Sequence, residues 1–321
     1  MDQSTWKIMK LFNILITLVF LTGCGPQPTT VSSPVALQPV VSEVVQPTQM
    51  PTLSEPTAIP TPTVDPVADA MGRGKALIES GDLDGAIAAF NEAIQLDANN
   101  FNAYYQRSLA LEAKGESEAA MADINKAIEL DPQSALAFNV RGGFYLEANN
   151  LDAALSDFTQ AIALKSDYAK AYNNRGIAYA EKNQLDEAIA DFNKALEWLA
   201  DDPEVYINRG IAFGRKGEND KAIADFDKAL ELAPGNAAVY LQRGTAYVQK
   251  NDLNSALANY NKAIELQANV PLFYFYRGMV YAELNQKDNA IADFRKALSL
   301  APDEDLSAQI TEYLKAMGAT P

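Results

Sequence analysis

An all-α chain of seven helix–turn–helix units, closed by one further helix, is the fold class this sequence predicts. Three observations predict it. A 34-residue period runs without insertion from Val67 to Glu304. Small residues recur at fixed places in each unit, where two helices must approach. Gly or Asn stands at the fifteenth place of every unit, where one helix has to stop.

The period divides the chain into 67–100, 101–134, 135–168, 169–202, 203–236, 237–270 and 271–304. The eighth place holds Gly74, Ser108, Gly142, Gly176, Gly210, Gly244 and Gly278. The twentieth and twenty-seventh are always alanine, from Ala86 and Ala93 to Ala290 and Ala297. Small residues on facing sides let antiparallel helices pack closely. The twenty-fourth place fills the space between them with Phe90, Ile124, Phe158, Phe192, Phe226, Tyr260 and Phe294. The fourth place is aromatic from Tyr104 to Tyr274, with Ala70 in the first unit.

The turn residues are Gly81, Gly115, Asn149, Asn183, Gly217, Asn251 and Asn285. Both types tolerate the left-handed conformation that ends a helix. Acids such as Asp84, Asp152 and Asp186 follow, suited to the positive end of the next helix. Pro203 and Pro271 open their units, where a helix tolerates proline. After the last unit, Leu306, Ile310, Tyr313, Leu314 and Met317 share one helical face. Residues 305–321 are therefore expected to cap the stack, with Gly318 as its stop.

This pattern resembles the tetratricopeptide repeat. The resemblance implies a right-handed superhelical solenoid with a concave face lined by first helices. It also implies a binding face drawn from the second, fifth, sixth, ninth and twelfth places.

The residues before the repeats divide in two. Lys7 and Lys10 precede twelve mostly apolar residues, Leu11 to Thr22, a stretch too short to span a bilayer but laid out like a secretory signal. It ends in Leu21-Thr22-Gly23-Cys24, which resembles the lipobox of bacterial lipoproteins. That resemblance implies removal of 1–23 and lipidation of Cys24, a membrane anchor. An ordinary signal peptide with an incidental cysteine is the other reading. Residues 24–66 hold ten of the 16 prolines and no Lys or Arg. They are expected to be a disordered stalk reaching between about 40 and about 130 Å. The chain is thus expected outside the cytoplasm, on the cell membrane or an outer membrane.

Composition narrows the function. The 321 residues carry a net charge of -16, and the pI is near 4.5. Removing Lys7, Lys10, Asp2, Glu43, Glu55 and Asp65 from the totals of 26 basic and 42 acidic residues leaves 24 and 38, a net of -14. The acidity therefore belongs to the repeats. Such a surface repels phosphate backbones, so no nucleic-acid partner is expected, and basic or neutral partners fit better. Histidine is absent and cysteine occurs once. No metal site, no cofactor and no catalytic residue are expected, and the chain reads as a non-enzyme. Asp82-Leu83-Asp84-Gly85 has the opening of a calcium loop without its later ligands, and reads as a turn.

Two sets of residues remain as candidate sites. Arginine holds the seventh place throughout: Arg73, Arg107, Arg141, Arg175, Arg209, Arg243 and Arg277. Asp123, Asp157, Asp191, Asp225 and Asp293 hold the twenty-third, with Ala89 and Asn259 as exceptions. One reading is a repeated Arg–Asp pair between helices. The other is an anion-binding ladder, for which Arg73 and Arg243, lacking the Asp, are the best members. The second set is the implied binding face. Its amides are Gln106, Asn139, Asn173, Asn174, Asn208 and Gln242, and Tyr105, Ile177, Ile211 and Tyr276 stand beside them. An amide both donates and accepts, so a spaced row could hold the backbone of an extended peptide. This resembles the asparagine ladder of some tetratricopeptide proteins. Solvated amides beside packed apolar residues are the plainer reading. The basic clamp some family members use on a terminal carboxylate is not evident, because Lys75 and Lys170 stand alone.

A scaffold that binds a protein or peptide segment is the leading reading. A self-associating spacer at the cell surface is the alternative. A small-ligand receptor or enzyme is a third reading that no constellation supports.

Overall fold

The structure is a computed structural model, and it describes residues 65–320. The signal-like segment, Cys24 and the proline-rich stretch to residue 64 lie outside the described residues. Those described form fifteen α-helices and no strand. They fall into two compact units, 65–131 and 132–320.

Residues 65–131 hold two hairpins. α1 (Pro66–Ser80) pairs with α2 (Leu83–Leu96), and α3 (Phe101–Ala113) with α4 (Ser117–Leu130). The Asp65 side chain caps α1 by accepting from the backbone N–H of Val67, and Pro66 opens the helix. α1 stops where Gly81 turns to φ 83°, and the N–H of Asp82 closes the turn onto the Leu77 carbonyl. Asp82 then caps α2 through the N–H of Gly85, so the calcium-like tetrapeptide is a helix start. The two hairpins meet through α2 and α3, where Ala70, Ala93 and Ala103 are buried together.

Residues 132–320 repeat that design five times. The hairpins are α5 (Ala135–Glu147) with α6 (Leu151–Leu164), α7 (Ala169–Glu181) with α8 (Leu185–Leu196), and α9 (Pro203–Arg215) with α10 (Asn219–Leu232). Then come α11 (Ala237–Gln249) with α12 (Leu253–Leu266) and α13 (Pro271–Glu283) with α14 (Lys287–Ser299). Each second helix packs on the first helix of the next hairpin, so the array is a solenoid of nearest neighbours. The all-α repeat class expected from the period is the class that forms.

The interlock is steric. The ring of Phe192 lies so close to the backbone at Gly176 that an added Cβ would stand 2.7 Å from it. Gly142, Gly210, Gly244 and Gly278 meet Phe158, Phe226, Tyr260 and Phe294 in the same way. The alanines at the twentieth and twenty-seventh places are all buried. Asn149, Asn183, Asn251 and Asn285 take φ between 55° and 60° at their turns. Asn can do so at modest cost, and β-branched residues cannot.

α15 (Glu304–Ala316) closes the stack. Ile310, Tyr313, Leu314 and Met317 are buried and Leu306 is half-buried. Tyr313 stacks on Phe294 at 5.4 Å and meets Phe275 edge-on at 5.8 Å. Gly318 turns at φ 70° beyond it. Arg295 of α14 then donates from Nε and Nη2 to the Thr320 carbonyl, holding the tail on the last hairpin.

Candidate functional site

The first helices carry the amides expected at the binding face, and the structure joins four of them in pairs. Asn174 of α7 donates from Nδ2 to Asn139 Oδ1 of α5 at 3.1 Å. Asn208 of α9 donates to Asn173 of α7, also at 3.1 Å. Each pair is a rung between adjacent first helices, from the sixth place of one repeat to the fifth place of the repeat before. Each rung leaves one amide nitrogen and one amide oxygen without a bond among the described residues, at Asn139 and Asn174 and at Asn173 and Asn208. All four residues are half-buried, as are Ile177 and Ile211 on the same helices.

The next rung does not form. Gln242 holds the sixth place of α11, but its counterpart at the fifth place of α9 is Ile207, which cannot accept. Gln242 is 4% exposed, and its Oε1 has no hydrogen-bond partner. Tyr276 is likewise buried, with Leu241, Phe275 and Met279. Leu241, Phe275, Tyr276 and Met279 belong to one buried apolar cluster that α11 and α13 share. In residues 65–131, Gln106 is half-buried and Tyr105 is buried, stacked on Phe101 at 5.9 Å. Of the ten expected residues, Tyr105, Gln242 and Tyr276 are buried and the other seven are half-buried.

The arginine series is an internal staple. Arg175 grips Asp191 with Nε and Nη2 at 2.7 and 2.8 Å, and its Nη1 reaches back to Thr159 on the preceding second helix at 3.2 Å. Arg209 does the same with Asp225 and Asn193, and Arg277 with Asp293 and Asn261. Arg107 repeats it with Asp123 and Asn91. One planar guanidinium thus ties three helices. Aromatic rings flank it: Arg175 lies 5.6 Å from the Tyr172 ring and 5.9 Å from the Tyr179 ring. The hydrogen-bonded Asp holds the guanidinium pKa of Arg107, Arg141, Arg175 and Arg277 above its ordinary value, so the cation persists.

Arg73 and Arg243 are corrected by the same geometry. Arg73 pairs with Asp69 at 3.0 Å and Glu92 at 2.7 Å. Arg243 bonds Asn259 at 2.8 Å and Asp227 at 2.5 Å. Neither is a vacant anion site. The replacement carboxylates are Asp69 one helical turn before Arg73, Glu92 at the twenty-sixth place of the same unit, and Asp227 at the twenty-fifth place of the unit before Arg243, where the period alone does not point.

Comparison with known proteins settles the family. Models described as TPR repeat match residues 74–115 and 244–285, and tetratricopeptide-repeat models match 101–134, 169–197, 203–236 and 271–304. Together they span more than half of the chain. It belongs to the tetratricopeptide-repeat family. Among curated proteins no match is found. A tetratricopeptide repeat protein from Parabacteroides merdae ATCC 43184 is 20% identical, with a TM-score of 0.61 over 79% of this chain and 99% of that one. PilW, a type IV pilus biogenesis factor, is 22% identical, with a TM-score of 0.61 over 66% of this chain and 98% of its own. PilF of Pseudomonas aeruginosa is 17% identical, with a TM-score of 0.59 over 69% and 97%. These likenesses are of fold.

Tetratricopeptide repeats are interaction scaffolds, generally without catalysis of their own. In this tetratricopeptide array the sequence reasoning missed the twenty-fifth place, whose Asn91, Thr159, Asn193, Asp227 and Asn261 accept the second arginine bond. The signal was present as a polar residue in each unit. Its partner lies one repeat onward, so spacing within a unit does not reveal it.

Proposed function

We propose that this tetratricopeptide protein is a membrane-anchored, extracytoplasmic scaffold that holds an extended segment of a partner protein along its first helices. The observation that carries this reading is the pair of asparagine rungs. Each offers one free donor and one free acceptor on a half-buried face, the complement of a peptide backbone. Ile177 and Ile211 beside the rungs supply apolar contact. Amides read a backbone without reading its side chains, so many sequences fit the rungs themselves.

Anchoring rests on the sequence alone: the signal-like 1–23, Cys24 and the stalk to residue 66, ahead of the repeats at 67–304. Two acyl chains on one sulfur-linked glyceride meet the condition for stable membrane attachment. Cys24→Ser should abolish incorporation of labelled fatty acid into the chain, and label retained by that variant would remove the anchor from this reading.

Binding is tested with the full chain and a synthetic decapeptide pool. Asn174→Ala with Asn208→Ala should weaken selected peptides about thirtyfold, from roughly 1 kcal/mol per lost amide. Unchanged affinity would move the site to another face.

The spacer alternative has an observation against it. Arg107, Arg175, Arg209, Arg243 and Arg277 each draw on an acceptor at the twenty-fifth place of the repeat before. In the last repeat that place is Arg295, which is bound to the Thr320 carbonyl. A second copy stacked on this end would meet α15, whose Ile310, Tyr313 and Leu314 are already buried against the last hairpin.

A further inference from the structure

The fifth repeat breaks the period twice at one turn. The thirteenth place is Glu147, Glu181, Gln249 and Glu283 in the other repeats of residues 132–320, but Arg215 here. The seventeenth place is Leu151, Leu185, Leu253 and Lys287, but Asn219 here. Arg215 ends α9 and Asn219 begins α10, so both substitutions stand at the same turn.

Each of the two carries a buried atom with nothing to bond. Arg215 Nε and Asn219 Oδ1 are shielded from solvent and have no hydrogen-bond partner. The contact Arg215 does make is long: Nη2 lies 3.3 Å from Asn183 Oδ1 on the preceding turn. Arg175 shows what this edge of a guanidinium does when satisfied, with Nε and Nη2 on the two oxygens of Asp191 at 2.7 and 2.8 Å. In Arg215 the same edge has one neutral acceptor on one nitrogen. No carboxylate lies within ion-pair range of Arg215 among the described residues, although acids outnumber bases throughout the repeats. A cation partly withdrawn from water without a counter-charge is unfavourable, and a complementary group from outside removes that cost.

The position connects this turn to the proposed binding face. Asn208, Ile211 and Arg215 follow one another at three and four residues along α9, hence on one side of the helix. We propose that Arg215 is the anchor for a carboxylate of the bound segment, taken on the Nε–Nη2 edge in place of Asn183. The Asn219 amide is the second contact, its Nδ2 brought round by a half-turn of the side chain. This rests on the reading that the first-helix face holds a peptide, and it adds what that peptide must carry: an Asp or Glu side chain, or a free chain end. It also reverses the expectation from net charge that the partner is basic or neutral. The groove contributes a cation where the surface at large is acidic.

The experiment uses the full chain, labelled decapeptides and fluorescence anisotropy. One set of peptides carries a single Asp or Glu, a second set is neutral with a free carboxyl end, and a third is neutral and amidated. Wild type should bind one of the first two sets roughly tenfold more tightly than the third. Preference for the first identifies a side chain, and preference for the second a chain terminus. Arg215→Gln should erase that preference while leaving the affinity for neutral amidated peptides unchanged and the thermal melt no lower than that of wild type. Arg215→Lys should restore part of it, since a point charge attracts but cannot fork. Equal binding of all three sets by wild type, or a preference that survives Arg215→Gln, overturns the anchor and leaves the groove standing. Absence of binding by any set overturns both.

Discussion

Asp191→Ala should lower the stability of its hairpin by roughly 3 kcal/mol. The Asp191 side chain is 8% exposed, and that of Arg175 is 17% exposed. Removing the carboxylate strips two short bonds from a guanidinium that remains enclosed by Tyr172 and Tyr179. The figure sits at the lower end for a buried pair because Arg175 keeps Thr159 and some access to water. Asp191→Asn is the control. The sixth repeat already uses an amide there, and Arg243 Nε bonds Asn259 Oδ1 at 2.8 Å. That variant should cost only about 1 kcal/mol, the worth of a single bond. Repeat arrays open locally, so amide hydrogen exchange across α7 and α8 is the appropriate readout beside denaturant unfolding. An Asp191→Ala protein as protected as Asp191→Asn would show that the staple contributes geometry without much energy.

Gly176→Ser should cost roughly 2–3 kcal/mol by overpacking. The first atom of any side chain at Gly176 would stand 2.7, 2.9 and 3.1 Å from three atoms of the Phe192 ring. Neither side can yield easily, because the backbone belongs to a helix and the ring is enclosed in the core. The second repeat holds the natural remedy. Ser108 stands at the eighth place of the repeat whose twenty-fourth place is Ile124, where the others have an aromatic ring. Its hydroxyl donates to the Tyr105 carbonyl at 2.7 Å, so it is buried without an unmet bond. Gly176→Ser combined with Phe192→Ile should therefore recover stability to within about 1 kcal/mol of wild type, a strongly non-additive pair. Melting curves of the two single variants and the double variant decide it. A double variant as unstable as the sum of the singles would mean that the ring and the glycine are not the coupled elements.

Both predictions draw on features that were legible as residues before they were legible as contacts. The glycine and the ring recur sixteen places apart in six of the seven units, and the arginine and the aspartate in five of them. Both pairings could be read because each partner keeps its place in the period. The amides are different. Asn174 and Asn139 are thirty-five residues apart on separate hairpins. Which amide meets which depends on how one first helix lies beside the next. The same holds for Gln242, whose burial the period does not display.

What the sequence determined by itself is the architecture of each hairpin. Helix starts, left-handed stops at Asn149 or Gly217, and the small-against-aromatic interlock are set by backbone sterics and by neighbours a few turns away. Those constraints act within one unit and are repeated in every unit, so the period displays them. Tertiary structure alone decided what neighbouring hairpins do to one another. It placed the second bond of Arg107, Arg175, Arg209, Arg243 and Arg277, joined Asn139 with Asn174 and Asn173 with Asn208, sealed Gln242 and Tyr276, and left Arg215 without a carboxylate. These outcomes depend on ångström-level spacing between side chains of different repeats, and that spacing comes from the packing of whole helices.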